Sequence, residues 1–387
     1  MRLTFIGCPF RTSYGHYIDS LGRAIYAQFG DRIEWVASNC GCGDPMEQAR
    51  IFQTKPSAYF EMRHFGDHDS GAAWRRWLRR NARNLTCHLR ADRYLKMARD
   101  SDVMHFQQTL NAFGAMVAFH WLQGRSSSAK VITVHEIDPF QEKLPQLNAL
   151  YNSADALIVH SGELRDRLLS YGVRASKITL LTYGTDIPAD TNDGARAGIV
   201  FYGGHHLMSG KGIETLFRAA ALLRERLGDS APIVKIHGHY GMETPEAAVE
   251  LAEVCGVADR LLWLNQIDDS QIAPLYRSAQ ISVFPYTGSF AGLAASAAAA
   301  NGLPVIATRR AGLPEHLGEC AVWVEENNAE QLAGEIERLL ASPERRNDLA
   351  SRAYERATRL LSWKVVAENT VGIYRDALEA RSARGGS

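Results

Sequence analysis

The sequence has no excess of either charge. Lysine and arginine together number 43, and aspartate and glutamate also number 43, so the formal net charge is zero. A chain in that balance carries no global field to draw it onto nucleic acid. Organised cysteine is lacking too. Cys8, Cys40, Cys42, Cys87, Cys255 and Cys320 are scattered without CxxC spacing, which argues against a disulfide framework and against a zinc site. There is no HExxH pattern, and no metal is expected. Long apolar runs are missing as well: none approaches the roughly 20 residues of a spanning helix. The opening MRLTFIGCPF reads as a first strand and lacks the apolar core of a signal peptide. Together these absences lead to the expectation of an intracellular chain, not integral to a membrane.

Hydrophobic residues are plentiful. They make up 46% of 387 residues, enough to bury the cores of about two domains. The chain is organised around residues 284–315, FPYTGSFAGLAASAAAANGLPVIATRRAGLPE. An apolar strand at 281–284 breaks at Pro285, and a glycine-spotted loop then feeds an alanine-rich helix at 293–300. Asn301-Gly302 suits the left-handed helix stop, and 303–308 returns as a buried strand. A loop and helix start of this kind present unpaired N–H groups and a positive dipole end, suited to a phosphate or diphosphate. An ordinary crossover with glycines for packing is the alternative. The same pattern stands earlier as a strand at 199–202, a glycine loop at 203–212 and a helix from Ile213. That loop resembles a phosphate cradle but is neither a Walker A sequence nor a GxGxxG fingerprint. Strands at 233–238 and 261–264 follow.

The first half begins with a strand at 3–7 and a loop at 8–16. A helix bearing Ile18, Leu21, Ile25 and Phe29 and a strand at 32–37 come next. This is the start of a doubly wound α/β domain, whose ligands bind beyond the carboxyl ends of the strands, where Gly15 and His16 fall. Three later strand ends carry His105, His135 and His160. Lone histidines there are usually satisfied polar residues, but three at one sheet edge would converge on a cleft. Residues 187–198, rich in Pro, Gly, Asn and Asp, read as a linker. The expected architecture is α/β with two Rossmann-like doubly wound domains, 1–190 and 195–362, facing an interdomain cleft. An amphipathic helix at 363–380, apolar at Val365, Val366, Val371, Tyr374 and Leu378, crosses back to the first domain. Residues 72–99 are strongly basic, with Trp74, Arg75, Arg76, Trp77, Arg79 and Arg80 close together. Such a helix fits an anionic membrane surface or an acidic acceptor. A solvated helix with packed tryptophans is the plainer reading, and nucleic acid has no recognition motif to support it.

The C-terminal half resembles the retaining glycosyltransferases of the GT-B type, family 4. The loop at 203–212, ending in Lys211-Gly212, looks like that family's diphosphate loop. Residues 156–188, 301–315 and 329–374 are similar to its VHS…NGVD, G-x-PVIAT…G-x-PE and LL…SW…Y passages, and the likeness covers about residues 130–375. It implies transfer of a sugar, with retention, from a UDP- or GDP-linked donor to a glycan or lipid-linked saccharide in cell-envelope polysaccharide synthesis. No cofactor or metal is implied, because Lys211 and backbone dipoles meet the leaving diphosphate. The implied catalytic residues are Lys211, His135 (the family's histidine near the sugar) and Ser289. Donor contacts fall to Gly15, Gly203, Gly204, His205, Lys211, Gly238, Asn265, Gln266, Gly288, Ser289, Phe290, Ala291, Gly292 and Leu293. His16 and the basic segment face the acceptor or the membrane, and the implied location is the cytoplasm, peripherally on the inner face of the cell membrane. Two departures stand out. The family's two glutamates, with seven residues between them, are replaced by Ser289 and Ala297, and Gly204-His205-His206 stands where an arginine is usual. They keep open a catalytically silent binding protein, or an epimerase of nucleotide sugars on the same fold.

Overall fold

The computed structural model describes residues 1–6, 13–30, 34–38, 101–108, 127–135, 137, 147–189, 191, 194–204, 207–238, 245–265, 267–288 and 292–385. The chain divides into two compact units. One comprises residues 1–160, 164–181 and 363–387, and the other residues 161–163 and 182–362.

The first unit holds a six-stranded parallel sheet. Its strands are β1 (Arg2–Ile6), β2 (Glu34–Ser38), β3 (Val103–Gln108), β4 (Ala129–Val134), β5 (Ala156–Val159) and β6 (Ile178–Leu180), in spatial order β2-β1-β3-β4-β5-β6. All six residues of β4 are buried, as expected of a parallel strand covered on both faces. The order reverses between β1 and β3. Helix α1 (Ser13–Phe29) buries Tyr17, Leu21 and Ile25, one turn apart. It packs against the final helix, α11 (Trp363–Gly385), which also covers β4. On α11 the buried side chains include Trp363, Val366, Ala367, Thr370, Val371, Ile373, Tyr374 and Ala377. The helix extends five residues past the 363–380 read from the pattern, because amphipathic spacing marks a face and not its end. Between them come α2 (Leu147–Ser153) and α3 (Gly162–Ser170).

The second unit repeats the plan. Strands β7 (Ile199–Tyr202), β8 (Val234–His237), β9 (Leu261–Asn265), β10 (Ile281–Phe284), β11 (Val305–Thr308) and β12 (Val322–Val324) form a parallel sheet ordered β12-β11-β10-β7-β8-β9. Alternation along a strand builds two cores at once. Ile199, Phe201, Ile281 and Val283 join the core under α4 (Ile213–Leu227). Val200 and Phe284 join the opposite one, under α7 (Leu293–Ala300). The remaining helices are α5 (Pro245–Val254), α6 (Asp269–Arg277), α8 (Leu313–Leu317), α9 (Ala329–Ala341) and α10 (Pro343–Arg356).

The polar segment at 187–198 does not mark the division. The unit boundary falls at Leu181, and the chain from Thr182 onward is already tied into the second sheet's surroundings. The Thr185 N–H donates to the Leu361 carbonyl at 2.7 Å, and the Tyr354 hydroxyl donates to the Pro188 carbonyl at 2.9 Å. Arg196 holds the segment by donating to the Thr191 and Gly302 carbonyls.

Candidate functional site

In an open parallel sheet, ligands bind outside the carboxyl ends of the strands where the strand order reverses. In the second unit that point lies between β7 and β10. The loops leaving these two strands are the two glycine loops of the sequence, and the fold locks them together. The N–H groups of Thr287 and Gly288 donate to the Gly210 carbonyl at 2.9 and 3.0 Å. Gly212, at φ +73°, caps α4 so close to β10's exit that a Cβ would sit 1.8 Å from the Pro285 carbonyl oxygen. Only a residue without a side chain permits this approach.

Lys211 is set between these loops. It is buried, and its Nζ lies 4.1 Å from the Tyr286 ring centroid and 5.5 Å from that of Tyr202. Ring faces are a favourable place for an ammonium, but they do not replace its hydration. Burial therefore pulls the Lys211 pKa down to about 7. The same burial pushes the Tyr202 and Tyr286 phenols up, so both stay neutral. Behind them, His237 contacts Tyr202 and Tyr276, and burial lowers it to about 4.

The neighbouring strand ends are stitched by backbone bonds. The Gly203 N–H donates to the His237 carbonyl and the Gly238 N–H to the Asn265 carbonyl, each at 2.9 Å. Gly238 lies at φ +132° and a Cβ there would come within 2.5 Å of the Gly204 nitrogen. Asn265 ends β9 in the left-handed region at φ +53°. Gly292, at φ +81°, precedes the first residue of α7, Leu293, in a helix with no acidic residue in its first turn. Gly203, Gly204, Lys211, Gly238, Gly288 and Gly292 therefore stand on loops at one edge of this sheet, with Leu293 at the start of α7. Ala297, one of the two positions where a family glutamate is expected, packs against the apolar core beneath α7. His205, Gln266, Ser289, Phe290 and Ala291 lie outside the described residues, as do Trp74, Arg75, Arg76, Trp77, Arg79 and Arg80. Gly15 and His16 fall in the first turn of α1.

The last residue of the quoted G-x-PE passage, Glu315, and His316 after it have a job the sequence does not reveal. Glu315 accepts from the Gly162 N–H at 2.7 Å through Oε1. His316 is fully buried, with Nδ1 on the Gly312 carbonyl and Nε2 accepting from the Tyr183 N–H at 3.1 Å. Burial lowers it to about 4, so it is a neutral clamp on the segment entering this unit.

In the first unit the three histidines do gather. His135 follows β4 and His160 follows β5, with ring centroids 5.3 Å apart. Tyr17 of α1 meets both edge-on, at 5.3 and 5.1 Å. His105 is not at a strand end, because β3 continues to Gln108. It joins the group through Gln107, whose Oε1 lies 2.9 Å from His135 Nε2 and whose Nε2 lies 3.2 Å from His105 Nε2. His105 Nδ1 pairs with the Tyr374 hydroxyl at 2.6 Å and Nε2 with Thr133 Oγ1 at 2.7 Å. Burial, then His160, lowers His105 to about 3; burial, then His160 and His105, holds His135 well below the usual imidazole range. Sequence reading missed Gln107 and Tyr374, although the spacing of His105 and Gln107 puts both on one face of β3. Tyr374→Phe should lower stability by about 1–3 kcal/mol, since a fully buried imidazole nitrogen loses a partner. A denaturant midpoint equal to the unmodified protein's would contradict this.

Two parallel, doubly wound units, the second with a lysine-bearing glycine loop at its switch point, define the class. The family described as Glycosyl transferases group 1 matches residues 194–356, and Glycosyltransferase Family 4 matches residues 22–187. The chain belongs to the GT-B-fold glycosyltransferases of family 4. It is 30% identical over 247 residues to a D-inositol 3-phosphate glycosyltransferase of Corynebacterium urealyticum, a match covering 58% of each protein. The chain thus spans little more than half the length of the first curated relatives it matches. Among solved structures, sucrose-phosphate synthase from Thermosynechococcus elongatus superposes with a TM-score of 0.70 at 20% identity, over 98% of this chain and 99% of that one. The Anabaena protein HepE in complex with UDP gives 0.71 at 14% identity, over 96% and 99%. At those identities the likeness is one of fold. Among the described residues, no helix is long and apolar enough to cross a membrane.

Proposed function

We propose that this protein is a glycosyltransferase that moves a sugar, with retention, from a nucleoside-diphosphate donor to a glycan or lipid-linked saccharide acceptor. The observation that carries the reading is the lock of the 203–212 loop onto the 285–288 loop, with Lys211 held between them. A leaving diphosphate gathers negative charge as the glycosidic bond breaks. Lys211 and the start of α7 at Gly292 and Leu293 would meet that charge without reorganising. The acceptor hydroxyl must lie beside the anomeric carbon on the leaving group's face, where a phosphate oxygen of the donor takes its proton. Catalytic roles are assigned to His135, toward the sugar, and to Ser289. Gly15 and His16 are assigned to the donor phosphate and the acceptor. UDP or GDP is the expected nucleotide, and the expected process is cell-envelope polysaccharide synthesis at the inner membrane face.

The test is a panel of nucleoside diphosphates and their sugars, read first as thermal stabilisation and then as donor hydrolysis. Stabilisation by UDP or GDP, with turnover of a matching sugar nucleotide, is expected. Binding without turnover would favour a silent member of the fold. That alternative is prompted by Ser289 and Ala297 in place of the two glutamates, since a lost carboxylate removes charge-assisted contacts worth about 1.5–3 kcal/mol. Release of an epimerised sugar without any acceptor would favour the epimerase. The basic segment at 74–80 is expected to bring the protein down with anionic vesicles, and high salt to release it. Equal absence from neutral and anionic vesicles would count against a membrane-borne acceptor.

A further inference from the structure

The turn that leaves β11, residues 308–312, packs onto the exit of β10. The Thr308 hydroxyl donates to the Tyr286 carbonyl at 2.6 Å, and Arg310 donates through Nη2 to the Thr287 carbonyl at 3.3 Å. Thr287 is also a residue whose N–H is locked onto Gly210, next to Lys211. The far end of the turn meets the start of α7, where a Cβ at Gly292 would lie 3.4 Å from the Gly312 carbonyl carbon. The turn therefore touches both the locked glycine loops and the first turn of α7. It is set by two backbone bonds, from the Arg310 N–H to the Thr308 carbonyl and from the Leu313 N–H to the Arg310 carbonyl. Between them Ala311 sits at φ +56°, a left-handed conformation uncommon outside glycine. Backbone strain of this kind collects at ligand clamps. Of the two adjacent arginines, Arg309 is occupied elsewhere, 4.5 Å over the Trp323 ring of β12.

A guanidinium has five N–H donors, and Arg310 places one of them in a hydrogen bond. Its Nε is shielded from solvent and makes none. The carboxylates near it are Glu326, 3.4 Å from Nε, and Glu163, 3.9 Å from Nη2. Both distances exceed the roughly 2.7–2.9 Å of a charge-assisted hydrogen bond. Both carboxylates are also well solvated, at 41% and 38% exposure, so these pairs hold the guanidinium weakly. The diphosphate of a sugar nucleotide carries a charge on each phosphate, and departure of the sugar adds another. Lys211 can balance only one of them. We infer that Arg310 is the second cation of the donor site, anchored on the Thr287 carbonyl and turning its remaining donors to phosphate oxygens. The inference rests on the nucleoside-diphosphate reading above. Glu163 and Glu326 hold the guanidinium while the site is free and compete with the ligand for it.

The experiment titrates UDP and GDP into the full chain and records thermal unfolding of each variant without ligand. Arg310→Gln should weaken the nucleotide that binds by about tenfold or more, yet unfold at the temperature of the unmodified protein. Arg310→Lys should recover part of the loss. Glu326→Gln removes a competitor and should tighten binding by about twofold or more. An arginine that only braces the turn predicts the opposite sign, because losing Glu326 would then loosen the turn and weaken binding. Were Arg310→Gln unable to fold, Glu326→Gln would decide by itself. Undiminished binding in folded Arg310→Gln, or unchanged or weaker binding in Glu326→Gln, would overturn the inference. Those outcomes leave the nucleoside-diphosphate reading standing, since the unmodified protein still binds. Failure of that reading shows separately, as an unmodified chain that binds neither nucleotide, and the inference falls with it.

Discussion

Gly212→Ala should abolish nucleotide binding, while Gly256→Ala leaves it intact. Both glycines have positive φ, +73° and +68°, so each alanine costs about 1–2 kcal/mol of backbone strain. Their surroundings separate them. Nothing lies within 4 Å of a Cβ at Gly256, whereas at Gly212 the Pro285 carbonyl oxygen would be 1.8 Å away and its carbon 2.7 Å. Backbone cannot yield as a flexible side chain does, so the 203–212 loop must part from β10's exit. The Gly210 carbonyl then loses the Thr287 and Gly288 N–H groups, and Lys211 loses its place over Tyr286. The check is thermal stabilisation by UDP and GDP in both variants. Comparable ligand-induced shifts in the two would show that the close approach is not what shapes the site.

Lys211→Ala should weaken nucleoside diphosphate binding about 10- to 150-fold, the equivalent of one charge-assisted contact of about 1.5–3 kcal/mol. The unmodified protein should also bind with a characteristic pH dependence. Burial lowers the free lysine to about 7, and a bound diphosphate favours the ammonium and raises it again. Between these two values the complex holds one proton more than its parts. Affinity is therefore full below pH 7 and falls as pH rises above it, approaching tenfold per unit. Titration calorimetry from pH 7 to 9 should show proton uptake as a buffer-dependent heat, and Lys211→Ala should flatten the trend. A pH-independent affinity in the unmodified protein would mean that Lys211 is already an ammonium before the ligand arrives.

Legibility differed between the glycine loops of the second unit and the histidines of the first. The glycine loops could be read because φ above zero and close backbone contact demand a residue type, and the sequence shows that type directly at Gly210, Gly212 and Gly292. Their mutual contact could not, because it depends on β7 and β10 being neighbours across about 80 residues of chain. His105, His135 and His160 could be suspected one by one from strands that end near them. Gln107 could not, since an amide's meaning lies wholly in what faces its two ends. The polar segment at 187–198 misled as a boundary for a related reason. Composition reports that a stretch is unlikely to build a core, not that it is free of one; here Arg196 and Tyr354 tie it down.

By itself the sequence determined the repeating strand, loop and helix pattern and hence two parallel α/β units. It also determined which turns require glycine and which face of α11 is apolar. These follow from periodicity and backbone sterics, which act within about 20 residues of chain. Only the tertiary structure decided that Lys211 would be sunk between Tyr202 and Tyr286, and that His135 would be tied through Gln107 to His105 and Tyr374. The physical reason is that desolvation and hydrogen-bond direction are properties of what surrounds a group. Those surroundings are assembled from strands and helices up to 269 residues apart.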